Sequence, residues 1–299
     1  MRFRAGVPAA ACIAVAAIGC GGATDDEDGA SIVAEGNAED LELVADAPDV
    51  TVAEHSARFE GTVEIDIDGE QFTFEMEGDQ DFVTGAGSIT MSAPLSDVSP
   101  ELDDLRMETI RVSEGEVYAN FGGLVDLPDG KEYVLITPDD LGVSPEEAFG
   151  GEDPTAGLDF LRGVVDNPRP VGTDELRGET VERYEIEVDF VALFDELAEA
   201  SEEFAPSFAE QAEVLDELID GPLDGEVWID EQGRVRRFVY VLELDERGIE
   251  LEITATTDYF DFGVAVEPDL PDPSDVVDFD EVEAEVRDFF SGSAPALTD

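Results

Sequence analysis

The sequence is poor in the residues that reactive chemistry and nucleic-acid binding draw on. It holds two cysteines, one histidine, and 15 Lys+Arg against 77 Asp+Glu, for a formal net charge of -62 at pH 7. Cys12 and Cys20 both fall within the first twenty residues, so the chain beyond them forms no internal disulfide and offers no thiol chemistry. His55 is the sole histidine and no local motif gives it a partner, which removes the basis for a Ser-His-Asp device. The sequence contains no G-x-S-x-G, Walker A or H-E-x-x-H motif. Among 77 acids any chance pair of carboxylates is uninformative about glycoside chemistry. No enzyme activity, catalytic residue, cofactor or metal site is therefore expected. The excess of acid repels phosphate backbones, so nucleic acid is excluded as a partner. Lys131 is the only lysine, and so acidic a composition fits a surface hydrated by carboxylates in a salty milieu. Beyond the first twenty residues, no hydrophobic run approaches the roughly twenty residues needed to span a bilayer.

What the chain does have begins at its start. Arg2 and Arg4 form a positive segment, followed by the uncharged run 5–19 and then Ala17-Ile18-Gly19-Cys20. The run is short for a membrane helix and reads as the apolar part of a signal peptide. Its end resembles a bacterial lipobox, with Ala17 where leucine is usual, and makes Cys20 the expected lipid anchor. The alternative is an ordinary secretory signal cut near Ala16 or Ala17. The polar stretch after Cys20, Gly21-Gly22-Ala23-Thr24-Asp25-Asp26-Glu27-Asp28-Gly29, favours the anchor. Loss of Arg2 and Arg4 would leave 13 bases against 77 acids, near -64. The expected location is the extracytoplasmic face of the cell membrane.

The expected organisation is a signal over 1–20, a flexible acidic tether over 21–52, a domain over 53–270, and a Pro-rich turn and C-terminal helix over 271–299. A short helix near 38–45 is expected to stop before Pro48. From Ala57 the pattern has period two: Phe59, Gly61, Val63, Ile65 and Ile67 share one face and acids the other. Asp68-Gly69 is a two-residue hairpin signal, after which Phe72, Phe74 and Met76 alternate with polar residues. The same stretch formally matches a calcium-loop spacing, but apolar alternation runs through it and favours the hairpin. Further strands are read at 81–92, 106–113, 116–121 and 132–137. Helical signals follow around 138–165, then a turn at 167–172, a strand at 179–188 and helices over 190–218. Strands return at 225–230, 234–244, 248–256 and 259–266. Pro268–Pro273 is read as the end of the sheet, and 279–290 as an amphipathic helix. Strands, helices and strands in blocks, joined by antiparallel connections, predict an α+β fold with helices on one face of a curved antiparallel sheet.

Three stretches together carry a family resemblance. Residues 171–184 (VGTDELRGETVERY), 227–237 (VWIDEQGRVRR) and 258–263 (DYFDFG) resemble, in order and combination, the LppX/LprG-type lipoproteins of actinobacteria. The resemblance covers roughly residues 40–275. It implies a half-barrel of the LolA and LolB kind, whose curved sheet wraps helices around an apolar cavity and carries acylated lipid. On that reading the cavity wall is formed by Phe72, Phe74, Met76, Phe190, Phe194, Phe204, Phe208, Phe238, Tyr240, Leu242, Ile249, Leu251 and Ile253. The expected partners are a lipid or acylated small molecule, the membrane through the anchor, and a membrane transporter or envelope protein; a monomer is expected. Periodicity alone is equally compatible with a plain packed core, and the same half-barrel also suits a tethered sensor or scaffold that binds a protein.

Overall fold

The computed structural model describes residues 38–67, 69–94, 105–112, 115–137, 140, 158, 161, 165–188, 221–246 and 249–290. It opens with helix α1 (Ala38–Val52). Strands β1 (Ser56–Ile67), β2 (Glu70–Asp81), β3 (Gly87–Ala93), β4 (Leu105–Arg111), β5 (Val117–Asn120) and β6 (Tyr133–Ile136) follow. Then come β7 (Val165–Leu176), β8 (Glu179–Val188), β9 (Leu223–Asp230), β10 (Val235–Glu246), β11 (Ile249–Phe260), β12 (Val276–Asp278) and α2 (Phe279–Phe290). Among the described residues the twelve strands form one open sheet in the order β12-β6-β5-β4-β3-β2-β1-β11-β10-β9-β8-β7. One open sheet with helices packed on it is the α+β class expected from the sequence.

The period-two reading of β1 is matched residue by residue. Phe59, Val63 and Ile65 are buried, while Arg58, Glu60 and Glu64 are exposed. Ile67 opposes Glu70, which leaves two residues for the turn; Gly69 sits at φ +86 and its N–H donates to Asp66 Oδ1 at 2.7 Å. The segment is a hairpin.

Cross-strand partners point to the same side of a sheet, so the register decides which side each helix covers. One row runs Val277, Val134, Ala119, Thr109, Ile89, Gly78, Phe59, Tyr259. Its first three members pack with Phe279, Val282 and Val286 of α2. Its last member lies against the core that Val44 and Ala47 of α1 form with Tyr184, Val227, Phe238 and Tyr240. The two described helices, α1 and α2, therefore lie on one face, at opposite ends of the strand order. Phe279, Val282 and Val286 fall on one side of α2, the amphipathic pattern expected there.

Four expectations are corrected, besides the strand read over 259–266, which is absent because β11 ends at Phe260 and a turn follows. The tether read over 21–52 gives way to α1 from Ala38, and α1 continues past Pro48 to Val52. Proline removes one intrahelical donor, but burial of Val44 and Ala47 to 0% and 1% exposure outweighs that local cost. The strand read over 81–92 is broken: Asp81 Oδ1 accepts from the N–H groups of Val83 and Thr84, both at 2.8 Å, and a turn separates β2 from β3. The turn read at 167–172 lies inside β7, an edge strand whose register shifts around Pro168 and Pro170; prolines are tolerated at edges and bulges, where no ladder donor is needed. Finally, the sheet does not end at the Pro-rich stretch. β12 pairs with β6 in parallel, so the sheet is mixed rather than wholly antiparallel.

Candidate functional site

The helix-bearing face has a centre that differs from its ends. Val63, Ile65, Met76 and Ile253 are buried there, with Ile67, Phe72, Phe74, Met91, Leu242 and Leu251 half-buried against them. Register aligns the rows: Phe72 opposes Ile65, which opposes Ile253 and then Leu242, while Phe74 opposes Val63, which opposes Ala255 and then Tyr240. The structure thus brings Phe72, Phe74, Met76, Phe238, Tyr240, Leu242, Leu251 and Ile253 to one face, and register puts Ile249 in the same series two residues before Leu251. They are not equivalent. Phe238 and Tyr240, each 3% exposed with ring centroids 5.8 Å apart, are closed over by the α1 core. Phe72, Phe74, Leu242 and Leu251 stay half-buried. Phe190, Phe194, Phe204 and Phe208 lie outside the described residues, as does Cys20.

Sequence reasoning missed part of this face. Ile89, 41% exposed, and the half-buried Met91, Leu105 and Met107 continue it across β3 and β4. Inward positions are even-numbered in β2 and odd-numbered in β3, because the turn after Asp81 shifts the phase. A continuous strand would have pointed Ile89 and Met91 to the other side.

The motifs behind the family resemblance converge at one end of the sheet. Asp230 is 6% exposed and accepts from the N–H groups of Gln232 and Arg234, both at 3.0 Å, and from Arg234 Nε at 2.8 Å. These bonds shape the β9–β10 turn, where Gly233 takes φ +85. Burial would raise the Asp230 carboxyl, but the Arg234 side chain and the backbone donors hold it below the ordinary 3.8. Arg236, 5% exposed, donates to Glu179 and, from Nε, to the Tyr259 carbonyl at 3.2 Å. Arg177, in the β7–β8 turn at φ +52, lies 3.8 Å over the Phe260 ring and pairs with Glu60 of β1 at 2.5 Å. Its reach spans the ends of β9, β10 and β11, so the β7–β8 turn folds across them. A cleft of about 390 Å³ remains between Arg177, Glu179, Arg234, Arg236, Phe260, Asp261 and Phe262.

On the face opposite the helices, Trp228 stands in register between Arg183 and Arg237. Both guanidiniums approach its ring, at 5.2 and 5.7 Å from the centroid, and its N–H donates to Asp174 Oδ2 at 2.7 Å. Arg237 binds Asp258 through two nitrogens at 2.5 and 2.7 Å. These carboxylates meet guanidiniums rather than one another. That arrangement ties turns and strands together, so the charged residues of the quoted motifs mark a structural clasp, while Tyr184, Val227 and Val235 of the same motifs pack in the α1 core. His55, at φ +71, serves the α1–β1 junction: its N–H bonds the Val52 carbonyl and its own carbonyl accepts from Phe82 N–H.

No protein-family model matches the chain, and no curated protein matches it. Similar solved structures include LprF from Mycobacterium bovis, 17% identical over 80% of this chain and 99% of that one, with a TM-score of 0.43. The lipoprotein LppX from Mycobacterium tuberculosis is 12% identical over 78% of this chain and 100% of that one, with a TM-score of 0.40. The MucA/MucB complex of Pseudomonas aeruginosa is similar at 15% identity over 78% and 59%, with a TM-score of 0.33.

Proposed function

We propose that this is an envelope lipoprotein, anchored through Cys20, that binds a hydrophobic or acylated ligand on the helix-bearing face of its sheet and shields it from water. The observation that carries the reading is the half-burial of Phe72, Phe74, Leu242 and Leu251 at the centre of that face. Side chains that serve only as core are closed over, as Phe238 and Tyr240 are. An acyl chain laid on the open aromatics gains about 25 cal/mol per Å² of apolar area removed from water. The reading requires no covalent step and no cofactor. Lipid on Cys20, at about 0.8 kcal/mol per buried CH₂, would hold the chain at the membrane, where a transporter or envelope protein would hand ligand over to a single copy.

The test is a titration of delipidated protein with a fluorescent acyl probe, with circular dichroism on the same samples. Phe74→Asp is expected to abolish saturable binding in a folded protein. Tyr240→Asp is expected to unfold it, because burying an unpaired charge costs several kcal/mol against a stability of about 5–15. Absence of saturable binding by the unmutated protein, or undiminished binding by folded Phe74→Asp, overturns the reading.

A further inference from the structure

The chain has four methionines, and the three beyond Met1 lie in a single cross-strand row. Met76 on β2 opposes Met91 on β3, and Met91 opposes Met107 on β4. Directly opposed residues in an antiparallel pair have Cα atoms about 4.5–5.5 Å apart, so Met91 has a thioether neighbour on each side. Methionine is unbranched, with three rotatable bonds and a polarizable sulfur, which lets the outer two side chains lean toward the middle one. Gly61, opposite Met76 on β1, continues the row without a side chain.

The surroundings are equally selective. On the same face the positions next along the strands are Phe74, Gly78, Ile89, Ala93, Leu105 and Thr109. None of them carries a carboxylate, imidazole or thiol, so a hard cation finds no ligand set there. Met76 is 8% exposed, Met91 and Met107 are half-buried, and Ile89 is 41% exposed. The row is therefore sheltered yet reachable from solvent. We infer that Met76, Met91 and Met107 form a thioether site for a soft monovalent cation, Cu(I) or Ag(I). Thioether sulfur selects Cu(I) over the oxygen- and nitrogen-seeking divalent ions, and the chain's charge of -62 concentrates cations around it. A surrounding apolar shell keeps water from competing for the ion. The row shares the helix-bearing face with the proposed acyl site, Phe74 standing next to Met76 along β2, but the cation needs no acyl ligand in order to bind, so either reading can fail without the other.

The test uses the full chain with Cys12→Ser and Cys20→Ser, so that no thiol competes, held in detergent and labelled with ¹³C at the methionine methyls. Titration with Ag(I), which needs no reductant, is expected to shift the three internal methyl signals together. The shifts should saturate at one ion per chain while Met1 stays unmoved, and Ca²⁺ should move none of them. Met91→Leu conserves volume and is expected to keep the circular dichroism spectrum while weakening Ag(I) binding by at least the roughly 10–100-fold that loss of a mere outer-shell partner costs a metal site. Unmoved signals at millimolar Ag(I), non-saturating shifts, or unchanged affinity in Met91→Leu each overturn the assignment.

Discussion

Thr51 ties α1 to the sheet, and its hydroxyl can be removed almost without changing shape. Its Oγ1 donates to the Ala47 carbonyl at 2.7 Å and accepts from Val235 N–H at 2.8 Å, and both Thr51 and Val235 are 0% exposed. Thr51→Val leaves the Val235 N–H buried without its acceptor, at a cost of about 1–3 kcal/mol. Thr51→Ser keeps the hydroxyl and loses one buried methyl, at about 0.8 kcal/mol. Helix propensities of the three residues are close, so they do not decide the order. For a domain of this size each kcal/mol moves the melting temperature by about 2–4 °C, which puts Thr51→Val roughly 2–12 °C below the parent. Urea unfolding followed through Trp228, the single tryptophan and a β9 neighbour of this junction, provides the assay. The expected order is Thr, then Ser, then Val. A valine variant as stable as the parent, or more stable than serine, would refute the claim that α1 is an integral part of the domain.

Three further outcomes are expected. Asp230→Asn should cost about 1–3 kcal/mol, since hydrogen bonds to a charged group are worth about twice neutral ones. Because the folded carboxyl titrates below 3.8, its contribution is present above that value and fades as pH falls through it. The parent–variant gap in urea midpoint should therefore shrink below about pH 4, and a gap that stays constant to pH 2 counts against the clasp. With a net charge of -62, salt that screens over about 10 Å at 0.1 M should relieve self-repulsion; a melting temperature flat from millimolar to molar NaCl contradicts this. Cys20→Ser should release the protein or block its processing while Cys12→Ser does neither, as read from membrane and soluble fractions; membrane retention of a processed Cys20→Ser protein defeats the anchor.

Local pattern made much of the fold legible. Alternation in Phe59–Ile67, the turn at Asp68-Gly69, strand 179–188 and helix 279–290 each follow from a few neighbouring residues, and the structure has them in place. The misses arise where distant contacts decide. Pro48 argues locally for a helix stop, yet Thr51 and Ala47 are held by β9 and β10 beyond it. Pro168 and Pro170 argue for a turn, yet an edge strand needs no donor on its outer side. β12 is three residues long and forms only because β6 offers an edge. The apolar face was half legible: parity within β2, β10 and β11 was sufficient, but the turn at 82–86 hid the phase of β3 and β4 and with it the methionine row. The charged residues of the motifs that carry the family resemblance build the clasp, where Asp230, Arg234 and Arg236 are held by specific hydrogen bonds.

An acylated ligand held on the helix-bearing face would leave the membrane together with the protein. Native mass spectrometry of the protein released gently from its own membranes tests this most directly. One discrete non-covalent adduct of lipid mass per chain is expected, lost from Phe74→Asp and retained by Asp230→Asn while it remains folded. A spectrum containing only the bare, lipid-anchored chain, or an adduct equally abundant on Phe74→Asp, contradicts it.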